Sequence, residues 1–161
     1  MIYMRAKDAK DNFIYHQEGE SLAIHRYKGT DESIVIPGII GNKEVKYVGS
    51  YQGEFLGRKK VFSPIAESIE LSDGIVSIRR NCFIQCATLK KILLPDTLEY
   101  IGKYAFADCY SLQEVRIPRN VKNIQDYAFS YCTHLEKLFV PESIEFFGHQ
   151  TGSPKMDIIF Y

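Results

Sequence analysis

IGKYAFADCYSLQEVRIPRNVKN, residues 101–123, is the stretch whose reading decides the fold, because it can be laid over its neighbours at an interval of 23 residues. Ile78, Ile101 and Ile124 recur at that interval, and Phe147 takes the next turn. Phe83, Phe106 and Phe129 keep it, as do Cys86, Cys109 and Cys132, and Leu89, Leu112 and Leu135. Ile92, Val115 and Leu138 follow, then Leu94, Ile117 and Val140, each trailed by a proline (Pro95, Pro118, Pro141). Leu98, Val121 and Ile144 complete the unit. Many spaced residue types repeating together are the signature of a solenoid, a stack of units that cannot bury their apolar faces alone.

Within one unit, Val115, Arg116 and Ile117 alternate apolar and polar, the period of a strand. Pro118 ends it, having no N–H to give to a ladder. Stacking places each such strand about 4.8 Å from the next in a parallel sheet. The isoleucines, phenylalanines and cysteines then form continuous columns. The expectation is a mainly β or α/β repeat solenoid.

Upstream the pattern is looser. Ile69, Leu71, Ile75 and Ile78 match Ile92, Leu94, Leu98 and Ile101, with Ser72 in place of the proline. Ile36-Pro37 and Val48-Gly49 match Ile117-Pro118 and Ile101-Gly102, after a local hairpin turn at Gly41-Asn42. The expected layout is a β-hairpin cap over 1–33, the repeats over 34–148 with an irregular insertion near 50–66, and a closing strand within 149–161. The cap hairpin is read from runs Asn12 to His16 and Ser21 to Tyr27, with Glu18-Gly19-Glu20 between them.

Composition narrows the function classes. Twenty basic and twenty acidic residues give a formal net charge of zero, so the excess positive charge of a nucleic-acid binder is absent. No stretch approaches the roughly 20 apolar residues that span a bilayer. Arg5, Lys7, Asp8, Lys10 and Asp11 interrupt the segment where a signal peptide needs an apolar run, so the sequence as written reads as unexported.

The unit IG…AF..C..L..V.IP..V..I, seen as IGKYAFADCYSLQEVRIPRNVKNI, resembles the BspA-type leucine-rich repeats, also called the Treponema pallidum class. The segment SIVIPGIIGNKEVKYVG is similar to the first turn of such proteins. The resemblance implies a right-handed leucine-rich-repeat superhelix with parallel strands on its concave face. It also implies occurrence among bacterial surface and secreted proteins that bind other proteins, and no catalytic residues.

Four cysteines, Cys82, Cys86, Cys109 and Cys132, lack the close ligand pairs of a zinc site, and the repeat explains three of them as small apolar filler. Histidines 16, 25, 134 and 149 show no metal or triad spacing, though the hairpin reading sets His16 and His25 facing each other across it. Nucleophile elbows, phosphate loops and dinucleotide fingerprints are missing. No enzyme, metal or cofactor is expected.

The outward strand positions carry the candidate site. With Leu112, Val115 and Ile117 inward, Glu114 and Arg116 face out onto the concave side, matched by Lys91 and Leu93 one turn earlier and Lys137 and Phe139 one turn later. Glu70 continues one column, which reads Glu70, Leu93, Arg116, Phe139. Two apolar groups flanking an arginine suit the centre of a protein interface. The rival reading is a solvated face with pairs such as Glu70 near Arg116 adding modest stability. Tyr100, Tyr104, Tyr110, Tyr127 and Tyr131 sit off the core positions and suit glycan contact or simple cover for the flanks. The expected function is a protein-interaction module, with a glycan-binding or purely structural module as the alternative, and without nucleic acid or membrane insertion.

Overall fold

The structure is a computed structural model that describes residues 11–49, 62, 65–152 and 155–161. From Phe13 onward every regular element among the described residues is a strand. In chain order they are β1 (Phe13–Glu18), β2 (Ser21–Tyr27), β3 (Ser33–Ile36), β4 (Ile39–Ile40), β5 (Lys43–Val48), β6 (Ser68–Leu71) and β7 (Ser77–Ile78). Then come β8 (Lys91–Leu93), β9 (Tyr100–Ile101), β10 (Glu114–Arg116), β11 (Asn123–Ile124), β12 (Lys137–Val140), β13 (Phe146–Phe147) and β14 (Asp157–Phe160).

Each 23-residue unit therefore carries two strands, where the sequence reading found one. The longer follows the invariant leucine; the shorter ends on the isoleucine of Ile78, Ile101 and Ile124. The short strands form the continuous ladder β5-β7-β9-β11-β13, all parallel. The hairpin β1–β2 joins that ladder through parallel pairing of β2 with β5. Gly19, at a φ of 59°, turns the hairpin, and Gly41, at 67°, turns the antiparallel β4–β5 arm.

The longer strands were expected to make one sheet. They make two, β3-β6-β8 and β10-β12-β14, with no ladder joining β8 to β10. Stacking continues across that step by other means. Ser111 N–H donates to Ala87 O at 3.2 Å, Asn120 Nδ2 to Asp96 O at 2.7 Å, and the short-strand ladder runs past it unbroken. The spacing of the turns is set by those bonds, so the longer strands can lie side by side there unpaired.

A third ladder runs through the segments between short and long strands. Asn81, Phe83 and Gln85 donate their N–H groups to Lys103, Ala105 and Ala107 of the next turn. Tyr104, Phe106 and Asp108 repeat the pattern onto Asp126, Ala128 and Ser130, and Tyr127 and Phe129 onto His149 and Thr151. The intervening N–H groups bond back three residues, as Cys82 does to Arg79 and Ile84 to Asn81. Alternate donors thus serve the turn and the stack in rotation, which satisfies a backbone that is neither helix nor sheet. The path requires positive φ at Asn81, Gln85, Tyr104, Asp108, Tyr127 and Tyr131, between 58° and 61°.

Inside the three ladders lies the core. Phe62, Phe83, Phe106 and Phe129 stack with ring centroids 4.7, 5.1 and 5.0 Å apart. Ile69, Ile78, Leu89, Leu98, Ile101, Leu112, Ile117, Val121, Ile124 and Leu138 are fully buried around them. Phe62 lies 21 residues before Phe83 and not 23, so the repeat does not announce it. The rest of the expected 50–66 insertion, apart from Phe62, Ile65 and Ala66, lies outside the described residues.

Glycine appears where turns approach most closely. A Cβ on Gly102 would stand 2.6 Å from Arg80 N, and one on Gly148 would stand 2.3 Å from Asp126 N. The column at this point reads Arg79, Gly102, Gln125, Gly148, so a residue with a side chain alternates with one that has none.

Candidate binding face

The outward positions of the longer strands fall where the alternation put them. Glu70, Lys91, Leu93, Glu114, Arg116 and Lys137 are exposed and Phe139 is half-buried. Register fixes who stands beside whom. Val35 pairs with Glu70 and Glu70 with Leu93; after the break, Arg116 pairs with Phe139 and Phe139 with Ile159. The parallel column places Ser68 beside Lys91, Glu114 beside Lys137, and Lys137 beside Asp157. The seven expected residues thus share one face, split between two sheets: Glu70, Lys91 and Leu93 on one, Glu114, Arg116, Lys137 and Phe139 on the other.

Arg116 is held by aromatic rings. Its guanidinium carbon lies 4.4 Å from the centroid of Phe139 and 4.8 Å from that of Tyr161. Arg119 approaches the same Tyr161 ring at 5.3 Å. Tyr161 is fixed in turn by its hydroxyl, which donates to Ile117 O at 2.6 Å. A cation over an aromatic face is attracted by the ring quadrupole, and two rings order a side chain that would otherwise sweep freely. Glu70 makes no ion pair with Arg116 among the described residues, because Leu93 and the unpaired step stand between them.

Two adjoining clefts follow the C-terminal ends of the longer strands. The first, about 440 Å³, lies between the β6 and β8 turns and is walled by Glu70, Asp73 and Asp96 together with Leu93. The second, about 590 Å³, lies where β8 and β10 are unpaired and is walled by Leu93, Asp96, Arg116, Arg119 and Tyr161.

Val35 and Ile159 extend the central column, and sequence reasoning missed both. Val35 was within reach, since it precedes Ile36-Pro37 as Arg116 precedes Ile117-Pro118. Arg119 and Tyr161 gave no signal, because Tyr161 belongs to a rung with no repeat character of its own.

The tyrosines lie elsewhere. Tyr104 and Tyr127 stack at 5.0 Å, with Lys103 Nζ 5.5 and 5.4 Å from the two ring centroids. Tyr100, Tyr110 and Tyr131 are exposed. The cysteines are buried and form no disulfide among the described residues. Cys109 Sγ donates to Phe83 O at 3.3 Å and Cys132 Sγ to Phe106 O at 3.1 Å. Burial raises the pKa of the Cys82 thiol well above its ordinary value; that of Cys109 is also raised, by its interaction with Cys132 and by burial. Among the described residues no group of three His, Cys, Asp or Glu side chains is placed to hold a metal ion.

On the N-terminal hairpin, His16 and His25 do face each other, stacked at 4.1 Å. His16 Nε2 lies 2.6 Å from Glu18 Oε1. Arg79 reaches from the β7 turn to hold both oxygens of Glu18, at 2.7 and 2.6 Å, and lies 4.4 Å from the Tyr47 ring centroid. The Arg79 hydrogen bonds hold the Glu18 carboxyl below its usual pKa, and desolvation lowers that of His25.

The backbone and its repeat define a class, the leucine-rich-repeat solenoids. Residues 59–151 match the model of the BspA-type leucine-rich repeat region in six copies, more than half of the chain, and the protein belongs to that family. A leucine-rich repeat protein of Treponema pallidum is similar in structure, with a TM-score of 0.79 at 27% identity over 88% of this chain and 64% of that one. A leucine-rich repeat protein from Bacteroides ovatus shares the fold at a TM-score of 0.56 and 19% identity, over 89% of this chain and 44% of its own. So does the pneumococcal vaccine antigen PcpA, at 0.51 and 17%, over 94% and 48%. The chain therefore spans between under half and just under two thirds of the lengths of these structures. No match was found among curated proteins.

Proposed function

We propose that this protein is a non-catalytic protein-interaction module that binds through the outer face of its longer strands, around Leu93, Arg116 and Phe139. The observation that carries the reading is the state of Arg116. It is exposed, clamped between Phe139 and Tyr161, and without an ion-pair partner among the described residues. An arginine ordered before contact loses less conformational freedom on binding, and Arg with aromatic neighbours is the composition enriched at interface hot spots. Glu70, Lys91, Glu114 and Lys137 would form the polar rim around it. Membership in a family whose similar structures include a vaccine antigen supports a setting on a bacterial surface.

Pull-down with purified protein, against lysate of the source organism and host-surface extracts, tests this. Its control is the L93A/R116A/F139A triple variant, checked for folding by circular dichroism. A partner captured by wild type and lost by the variant supports the reading. Capture by both moves the site to the flank of Tyr100, Tyr110 and Tyr131, where a glycan is the competing ligand. No capture from either source counts against an interaction role.

A further inference from the structure

The two clefts at the strand ends join into a groove whose charge changes sign along its length. One residue after each proline position, the chain carries Asp73, Asp96, Arg119 and Glu142 on successive turns. The first three line the groove and Glu142 does not. Added to the outward column, this gives an acidic step of Glu70, Asp73 and Asp96, followed by a basic step of Arg116 and Arg119 flanking Tyr161. None of these five charged groups has an ion-pair partner within 4.0 Å among the described residues. Opposite charges have been placed along one channel without being spent on each other.

We infer that this groove takes an extended peptide bearing one basic and one acidic side chain, laid along the solenoid axis. The basic side chain faces Glu70, Asp73 and Asp96; the carboxylate faces Arg116 and Arg119. The acidic step spans the β6 and β8 turns and the basic step lies on the β10 turn, so their charges stand one to two strand spacings apart, roughly 5–10 Å. An extended chain rises about 3.3 Å per residue and turns alternate side chains to the same face, so the complementary charges stand two residues apart, roughly 7 Å, as in Lys-x-Glu or its reverse. Guanidinium groups suit a carboxylate because their N–H donors match its two oxygens, and Tyr161 keeps both arginines in place. Leu93 lies at the junction of the steps and offers apolar contact to the chain between. This inference rests on the reading of the strand face as the binding face, and names the chemistry of what it binds.

The test is a titration of the ¹⁵N-labelled protein with three capped hexapeptides, GKGEGG, GKGKGG and GEGEGG, followed by amide chemical shifts. GKGEGG is expected to bind at least tenfold more tightly than either like-charged peptide, with shifts centred on residues 70–73, 93–96, 116–119 and 161. In the R116E/R119E variant the preference should pass to GKGKGG. In D73K/D96K it should pass to GEGEGG, so the inference stays testable if one variant does not fold. Equal binding of all three peptides, no binding at millimolar concentration, or shifts confined to other faces would overturn it. Such a failure, with capture of a partner still lost in the L93A/R116A/F139A variant, would leave the binding face standing and remove only the charge rule.

Discussion

Tyr131 holds a φ of 58° on an exposed turn, a conformation that costs an L-residue with a Cβ roughly 1 kcal/mol. Asparagine tolerates that region because its side chain bonds locally, and a β-branched residue tolerates it least. Tyr131→Asn is therefore expected to be neutral or to stabilise by up to about 1 kcal/mol, and Tyr131→Val to destabilise by about 1–2 kcal/mol. Urea denaturation of both variants checks the pair. The cysteine column gives a second expectation at this scale. Thiols that are buried in apolar surroundings are poor nucleophiles, since the reagent cannot reach them and the thiolate is the reactive species. Cys82, Cys86, Cys109 and Cys132 should all stay silent toward a disulfide reagent at neutral pH and all titrate in guanidinium. A fast-reacting thiol in the native protein would contradict their burial.

Among the elements, the phenylalanine stack and the glycine contacts make the sharpest demands. Phe106 touches a ring above and a ring below, so Phe106→Ala should cost about 3–5 kcal/mol, read as a lowered denaturant midpoint. Gly102→Ala should also destabilise, because the nearest atoms are the backbone of Arg80 and cannot swing aside. The N-terminal hairpin behaves differently, through its charges. His25 has a pKa below its unfolded value of about 6.5, so its contribution to stability is present above that pH and is lost as the pH falls. Glu18, also depressed, adds a second loss at lower pH, below the ordinary carboxylate pKa. The melting temperature should fall on acidification from pH 7 to 5 and fall again below 4.5. His25→Gln should flatten the first decline and leave the second.

Across the whole molecule, one column of rings passes through successive turns, which couples each turn to the next. Unfolding is expected to be a single cooperative transition, coincident by far-ultraviolet circular dichroism and by tyrosine fluorescence, in spite of the divided strand face. How much of this was legible depended on what repeats. Side-chain identity repeats every 23 residues, so the core columns, the longer strands and the outward Glu70, Leu93, Arg116 and Phe139 could be read directly. The short strands and the third ladder are held by main-chain bonds. Their positions at Tyr104, Tyr127 and Tyr131 look like surface decoration and not like left-handed turns. The break between β8 and β10, and the seat of Tyr161 against Arg116 and Arg119, depend on three-dimensional adjacency at a turn where the repeat has faded.

The third ladder has one more property. In the peptide units 80–81, 82–83 and 84–85, each forward-pointing N–H belongs to a plane whose C=O points backward. The units at 103–108 and 126–131 are oriented alike. Neighbouring bonds in a parallel sheet alternate in direction and cancel, whereas these add, as the peptides of an α-helix do. One flank of the stack is in this respect a line of aligned dipoles, positive toward Gln150 and Gly152. An anion is favoured at that end and a cation at the other, so the solenoid has an electrical direction as well as a zero net charge.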